Sequence, residues 1–306
     1  MSPLIHVLSV ITYPGMLFVL VFGLLWYGIH RKLAARMQSR IGPPVWQPFF
    51  DALKLFGKES IVPDNARTGY TAWPVVALAS ALVTGLLIPM AGITLIEVPG
   101  SFLFIIYFLV LAALSMYLAG FASSNPYSSA GSARGIIQML GYEFPLVASM
   151  LVPLVYLGTM SVRSVSAFQA QSVLPWLGFS FPLAAIAYFA AVAIKVELPP
   201  FHIPEAHQEI VSGYSTEYSG FRLALLELTK SCKLFVLIAL GVALFLGGSV
   251  TGIAGFTIFI IKSLGVLAVL TVARVIFARL RIEHAIKYGW LFGFIALVDL
   301  VRVMVI

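Results

Sequence analysis

One cysteine, Cys232, stands among 306 residues. No internal disulfide can form, and no CxxC motif or Cys/His cluster offers a metal site. Charge is equally scarce. Only 10% of the chain is Asp, Glu, Lys or Arg, against about a quarter in an average soluble domain. With 60% hydrophobic residues and a mean hydropathy of +1.01, a water-soluble enzyme, a disordered chain and a disulfide scaffold are excluded. The polar/apolar alternation of membrane strands is missing, which excludes a transmembrane barrel. Internal repeats, low-complexity tracts and a soluble domain are missing as well. The first apolar run is followed, not preceded, by its basic pair, Arg31 and Lys32, and so does not read as a cleavable signal peptide.

What is present is a series of apolar runs of about 20 residues, the length that crosses a bilayer. Eight occur, at 12–30, 73–93, 102–122, 136–158, 176–196, 222–247, 254–277 and 287–306. They predict an all-α polytopic membrane protein with about eight transmembrane helices, a single transmembrane domain over residues 1–306. Lys and Arg collect on cytoplasmic loops, and here they vote clearly. Thirteen lie at 31–67, Arg134, Lys195, Arg222, Arg279, Arg281 and Lys287; two, Arg163 and Arg302, lie on the opposite side. The expected cytoplasmic loops are therefore about 31–72, 123–135, 197–221 and 278–286, with both termini outside the cell membrane. The net charge of +7 is a topology signal, not a sign of nucleic-acid binding.

The first cytoplasmic loop contains one helical stripe, Trp46, Phe49, Phe50, Leu53 and Phe56, with Asp51, Lys54 and Lys58 displaced from it. Such a pattern predicts an amphipathic helix lying in the lipid interface after the first span. The simplest role for it is an orientation anchor.

The loop at 197–221 is unusual, because it carries Glu197, Glu205, Glu209 and Glu217 with His202 and His207 on the side where cations are expected. A solvated acidic loop is the plain reading. Against it, prolines, isoleucines and tyrosines alternate with the carboxylates; apolar neighbours raise carboxyl pKa values and favour proton exchange near neutrality. His207 adds a group that titrates near physiological pH. Glu205 and Glu209 are four residues apart, so on a helix they would share a face and repel.

Charges also interrupt the spans. Glu143 lies nine residues beyond Arg134, about 13 Å along a helix, at a depth where a lone carboxylate is costly. Pro145 follows it and leaves a backbone carbonyl one turn earlier without its helical donor. Glu227, Lys230 and Lys233 step three residues at a time along one face. Lys262 and Arg274 are polar islands in the seventh span, and Asp299 and Arg302 form an outer pair. Glu143, Lys195, Glu197, Glu227, Lys230, Lys233 and Lys262 are the candidates for a hydrated ion track opening at the cytoplasmic face. Titratable groups bridged by water can carry protons in this way.

Three stretches carry a family resemblance: RKLAARMQSRIGPP with QPFFDALKLFGKE, then SARGIIQMLGYEFPL, then FHIPEAHQEIVSGYSTEYSGFR. In this order they resemble subunit 1 of respiratory complex I, also called its H subunit, and its relatives in membrane-bound nickel–iron hydrogenases and sulfane reductases. The resemblance implies a membrane subunit that anchors the redox arm and begins a chain of ionisable residues coupling redox chemistry to H⁺ or Na⁺ translocation. It places Glu143 on the family's Tyr-Glu carboxylate, and Glu205, Glu209 and Glu217 on the carboxylates of its acidic loop. It puts Arg36, Arg40, Gly42, Pro43, Asp51, Lys54 and Glu59 on the first-loop motif that meets the redox arm. It implies no cofactor in this chain, and iron–sulfur clusters, with or without nickel–iron, in partners. Those partners are an iron–sulfur small subunit, a hydrogenase-like large subunit and antiporter-like membrane subunits. Two departures from complex I stand out. The first loop is short (GPPVWQP), as in the hydrogenase branch, and Lys195 and His207 replace glutamates. A quinone-binding subunit of a complex I-like oxidoreductase and a self-contained secondary ion transporter remain as alternative readings. Internally related halves, common in such transporters, are not evident.

Overall fold

A computed structural model describes residues 9–170, 176–248 and 251–305, the His207 side chain excepted. The elements are α1 (Met16–Met37), α2 (Gln47–Phe56), α3 (Ala72–Leu87), α4 (Ser101–Ala122), α5 (Pro126–Tyr156) and α6 (Val162–Ala170). They continue with α7 (Leu177–Ser180), α8 (Pro182–Lys195), α9 (His207–Ile210), a 3₁₀ turn at Gly213–Ser215, α10 (Gly220–Phe245), α11 (Ile253–Ile276) and α12 (Ile282–Val305). Among the described residues, six stretches are long and apolar enough to cross a membrane, the first of them Ser9–Met37, and α3 and α8 are shorter apolar helices. The protein is an all-α polytopic membrane protein.

Proline explains both short helices. Pro89 forces Ile88 into an extended conformation, ψ 134°, because the residue before proline is barred from the helical region. The predicted span at 73–93 therefore ends at Leu87, and the chain reverses through a Met90–Ile93 bridge. In the predicted span at 176–196, Phe181 before Pro182 leaves the helical region and separates α7 from α8. Asp299 of α12 repairs this break. Its buried carboxylate accepts the Ala184 N–H at 2.9 Å, one of the donors a helix start leaves without an intrahelical partner.

Two helix starts and one extra element also differ from expectation. α5 begins at Pro126, where the Asn125 side chain accepts the Tyr127 N–H at 2.8 Å, so most of the expected loop at 123–135 is helix. Its 31 residues span about 46 Å, well over the ~30 Å hydrocarbon layer, and the helix overhangs at one end. α12 begins at Ile282, which shortens the expected loop at 278–286 and puts Lys287 on a helix. α6, between α5 and α7, has no counterpart among the predicted elements.

α10 forms the centre: beyond Lys233 it is apolar on every face, and 94% of its spanning window is buried, as expected of an all-round apolar stretch. It packs against α1, α2, α3, α8 and α11. α12 lies at the periphery against α5 and α8, and close backbone approach makes this contact possible. A Cβ at Gly289 would stand 2.1 Å from the Gly141 carbonyl oxygen, so only glycine fits there.

The basic loops gather at one end. Arg67 N–H donates to Ala122 O at 2.9 Å and Leu280 N–H to Pro200 O at 3.0 Å. Tyr70 and Tyr218 stack with centroids 4.3 Å apart. The amphipathic helix expected after the first span is α2. Pro48 and Ala52 face the protein, while Trp46, Phe50, Leu53 and Phe56 are exposed; Phe49 is half-buried.

Candidate functional site

At the basic end a cavity of about 570 Å³ opens between α1, α10, α11 and the loop after α8. Tyr27, Glu197, Glu205, Glu227, Lys230 and Arg274 are among its walls. Lys230 joins two carboxylates here: it pairs with Glu205, and with Glu227 one helical turn back at 2.6 Å. The same ammonium lies 5.5 Å from the centroid of the Tyr214 ring. The Tyr214 hydroxyl in turn faces Glu197 Oε2 at 3.5 Å. Burial, then the charges of Glu197 and Glu205, push the Tyr214 phenol well above its ordinary pKa, so it keeps its proton and acts as a donor.

Glu197 is the next group inward. Its backbone adopts φ +58°, a left-handed conformation uncommon for a side chain of this type. The turn aims the carboxylate back into the protein, where Oε1 accepts from the Tyr117 hydroxyl at 2.9 Å and from Lys233 Nζ at 3.3 Å. Burial works to raise the Glu197 carboxyl, but the Lys233 ammonium and the Tyr117 hydroxyl outweigh it and hold it below the ordinary carboxylate range.

A third pair lies beyond it. Lys195, at the end of α8 and fully buried, pairs with Glu143 of α5 and sits 4.7 Å over the Tyr142 ring. Because α5 overhangs, Glu143 is level with the last turn of α8. Its second oxygen, Oε2, is buried and takes no hydrogen bond from a described residue. Gln138 fastens α5 to this end of α8 by donating to Ile194 O at 2.9 Å and Phe201 O at 3.0 Å. Tyr117 and Tyr142, both buried, stand between the Glu197 and Glu143 pairs, each within electrostatic reach of the other.

The structure therefore brings together Glu143, Lys195, Glu197, Glu205, Glu227, Lys230 and Lys233. It places the other sequence candidates elsewhere. Glu209 faces the surface between Arg134 and Arg279, the latter at 3.2 Å. The Arg134 hydrogen bond and the Arg279 charge hold its carboxyl below the usual range. Glu205 lies outside the four-residue α9, so the expected Glu205–Glu209 repulsion does not arise: the two turn to different cations. Glu217 accepts from the Asn125 amide, and its backbone carbonyl accepts the Tyr70 hydroxyl at 2.8 Å. Lys262 points to the opposite end, donating to Gly248 O at 2.9 Å. The His207 side chain lies outside the described residues.

The first-loop residues form a surface. Arg36, Arg40, Lys54 and Glu59 are exposed, and Gly42, at φ +67°, turns the chain from α1 into the Pro43–Pro44 linker. Asp51 is half-exposed and turns toward α1, accepting from Gln47 at 2.7 Å and Arg31 at 3.4 Å.

Two features escaped the sequence reading. Tyr117 and Tyr142 lie in apolar runs beside other hydroxyls, such as Ser115 and Ser149, and carry no periodic signal that sets them apart. His30 of α1 is fully buried, with Nε2 2.7 Å from Arg274 Nη1 and Nδ1 2.8 Å from Thr271 Oγ1. The Thr271 proton is committed to Leu267 O at 2.7 Å, and a guanidinium only donates. His30 must therefore be neutral, protonated on Nδ1, with Nε2 accepting from Arg274. In this way a neutral imidazole holds a cation in the cavity wall.

The sequence pattern of the family described as NADH dehydrogenase matches residues 10–305. The chain is 33% identical to the H subunit of NADH-quinone oxidoreductase from Dehalococcoides mccartyi strain CBDB1, over 90% of this chain and 79% of that one. It is 31% identical to the corresponding NADH-quinone oxidoreductase subunit of Carboxydothermus hydrogenoformans, over 93% and 84%. A solved structure of the membrane-bound sulfane sulfur reductase, an archaeal respiratory membrane complex, superposes with a TM-score of 0.89 at 26% identity, covering 99% of this chain and 100% of that one. The chain belongs to the NADH dehydrogenase family, that of the complex I H subunits, and is a multi-pass membrane subunit of a respiratory, complex I-like oxidoreductase.

Proposed function

We propose that this subunit anchors a redox arm through its basic end and couples the arm's chemistry to ion translocation, in an energy-converting complex of the membrane-bound hydrogenase or sulfane reductase type. The carrying observation is the succession of three carboxylate–lysine pairs, Glu205/Glu227–Lys230, Glu197–Lys233 and Glu143–Lys195. Ionisable residues are expensive at membrane depth and mark ion pathways there. Three adjoining pairs, bridged by Tyr214, Tyr117 and Tyr142, need a purpose beyond stability, because a buried ion pair seldom stabilises more than apolar packing would.

In this reading, a change of charge on the docked arm acts first on the cavity layer, where one lysine is shared by two carboxylates. Moving the Lys230 ammonium toward one of them, or protonating the other, changes the field at Glu197. The Tyr214 and Tyr117 hydroxyls, both donors to Glu197, reorient with it. The last pair responds through Glu143, whose Oε2 takes no hydrogen bond from a described residue. From there the ion passes to antiporter-like neighbours. Iron–sulfur clusters and any nickel–iron centre belong to the docked subunits, which meet Arg36, Arg40, Lys54 and Glu59. The orientation follows from the basic end: loops inside, termini outside the cell membrane.

The test is Glu143→Gln in membrane vesicles carrying the whole complex. Ion translocation should fall at least tenfold while electron transfer to artificial acceptors persists; undiminished pumping refutes the role. A second reading, quinone binding, draws on the open cavity and on the names of the relatives. Quinone-dependent turnover of the purified complex, blocked by quinone-site inhibitors, would favour it.

A further inference from the structure

The three-pair relay leaves Lys262 unused. It lies nine residues into α11, about 13 Å along the axis, and its side chain reaches back toward the end that carries residues 176–181 and 246–248. There Nζ donates to Gly248 O at 2.9 Å, stands 3.5 Å from Gly247 O, and lies 4.7 Å from the Trp176 ring centroid. Carbonyls and a ring face satisfy its donors but do not cancel its charge. Among the described residues no carboxylate pairs with it, whereas Lys195 and Lys233 each have one and Lys230 has two.

Beside this cation a groove of about 420 Å³ runs along α11, walled by Trp176, Phe189, Gly265, Val269 and Leu270. Val269 is 65% exposed, and a Cβ at Gly265 would meet no atom within 4 Å. The groove is thus open on the outward side of a spanning helix. It is apolar along its length, with one positive charge at one end and an aromatic ring beside that charge. A hydrocarbon chain suits the walls, an anion suits Lys262, and tryptophan favours the headgroup level. A soluble anion would leave the groove empty, and a neutral lipid would leave the charge uncompensated.

We propose that this groove binds an anionic phospholipid, its phosphate paired with Lys262 and one hydrocarbon chain laid between α11 and Phe189 of α8. The site lies apart from the ion relay, since among the described residues none lines both this groove and the cavity at the basic end.

The experiment exchanges the purified complex into bilayer nanodiscs containing spin-labelled phosphatidylglycerol or phosphatidylcholine. It is run on the parent and on Lys262→Arg, Lys262→Gln and Gly265→Leu. The parent and Lys262→Arg should hold phosphatidylglycerol at least tenfold more strongly than phosphatidylcholine. Lys262→Gln should abolish the preference, and Gly265→Leu should abolish retention of both. Equal retention of the two lipids by the parent, or an unchanged preference in Lys262→Gln, overturns the proposal. So does cross-linking of a Val269→Cys variant to a helix of a neighbouring subunit, which would show that a protein covers the groove. If Lys262→Gln fails to assemble, Gly265→Leu decides between lipid and no lipid.

Discussion

Consider replacing Lys195 by methionine. Lys195 has no exposed surface, and the Glu143 side chain beside it is 19% exposed. Losing the ammonium leaves a largely buried carboxylate without its cation, a situation that costs about 3–5 kcal/mol. The cost has a ceiling, because a carboxyl can escape by taking up a proton. From an ordinary carboxyl pKa of about 4.3, protonation at pH 7 costs about 3.7 kcal/mol, and the ceiling falls by about 1.4 kcal/mol per pH unit toward acid. Glu143→Gln has the opposite slope. It strands the ammonium, whose escape is deprotonation, at a ceiling of about 4.6 kcal/mol at pH 7 that rises toward acid. The double variant strands neither and should lie within about 1 kcal/mol of the parent. Thermal-inactivation half-lives of the solubilised complex, measured at several pH values between 5 and 8, test this. Lys195→Met should recover as pH falls, Glu143→Gln as it rises, and the double variant should outlast both. Additive losses with no opposed pH slopes would refute the buried pairing.

Other outcomes follow from the same geometry. His30→Leu removes the acceptor of Arg274 Nη1 and should cost about 1–3 kcal/mol of thermal stability, whereas His30→Gln, which keeps an acceptor, should recover most of it. Gly289→Ala forces a Cβ onto the Gly141 carbonyl; overpacking of this kind costs about 1–3 kcal/mol, read as lowered yield of assembled complex. Glu209 has a lowered pKa because of Arg134 and Arg279, so its hold on the loop is complete above the ordinary carboxyl pKa, near 4.3. That hold is lost as pH falls through the lowered value. Hydrogen exchange of residues 201–217 should accelerate across that window, and Glu209→Gln should remove the pH step and leave the loop fast throughout.

Much of the fold was written in the apolar runs. Among the described residues, six of the eight runs appear in the predicted order as helices long enough for a bilayer and two, α3 and α8, as shorter apolar helices, because a bilayer imposes a length that most of the runs meet. The misjudged ends have local causes. Pro89 and Pro182 are the breaks, and each lies inside an apolar run whose other residues give no sign of an end. The first turns of α5 are rich in serine and glycine and read as loop; the Asn125 cap and contacts with the 3₁₀ turn at Gly213–Ser215 make them helix. α2 was plain from its stripe, since an interfacial helix advertises both of its surroundings.

The site divides differently. Sequence alone determined which ionisable groups exist, that each buried one needs a reason, and that Glu227, Lys230 and Lys233 share a face: these follow from residue type and helical period. Only the tertiary structure decided who pairs with whom. Glu143 meets Lys195 across 52 residues and Glu197 meets Lys233 across 36, distances over which no period carries information. It also set Glu209, Glu217 and Lys262 apart from the three pairs and supplied the tyrosines between them. The physical reason is that a charge in an apolar medium takes whichever counter-charge or donor helix packing brings within a few ångströms. That packing is fixed by close contacts such as Gly141 against Gly289 and by the overhang of α5, which no single segment encodes.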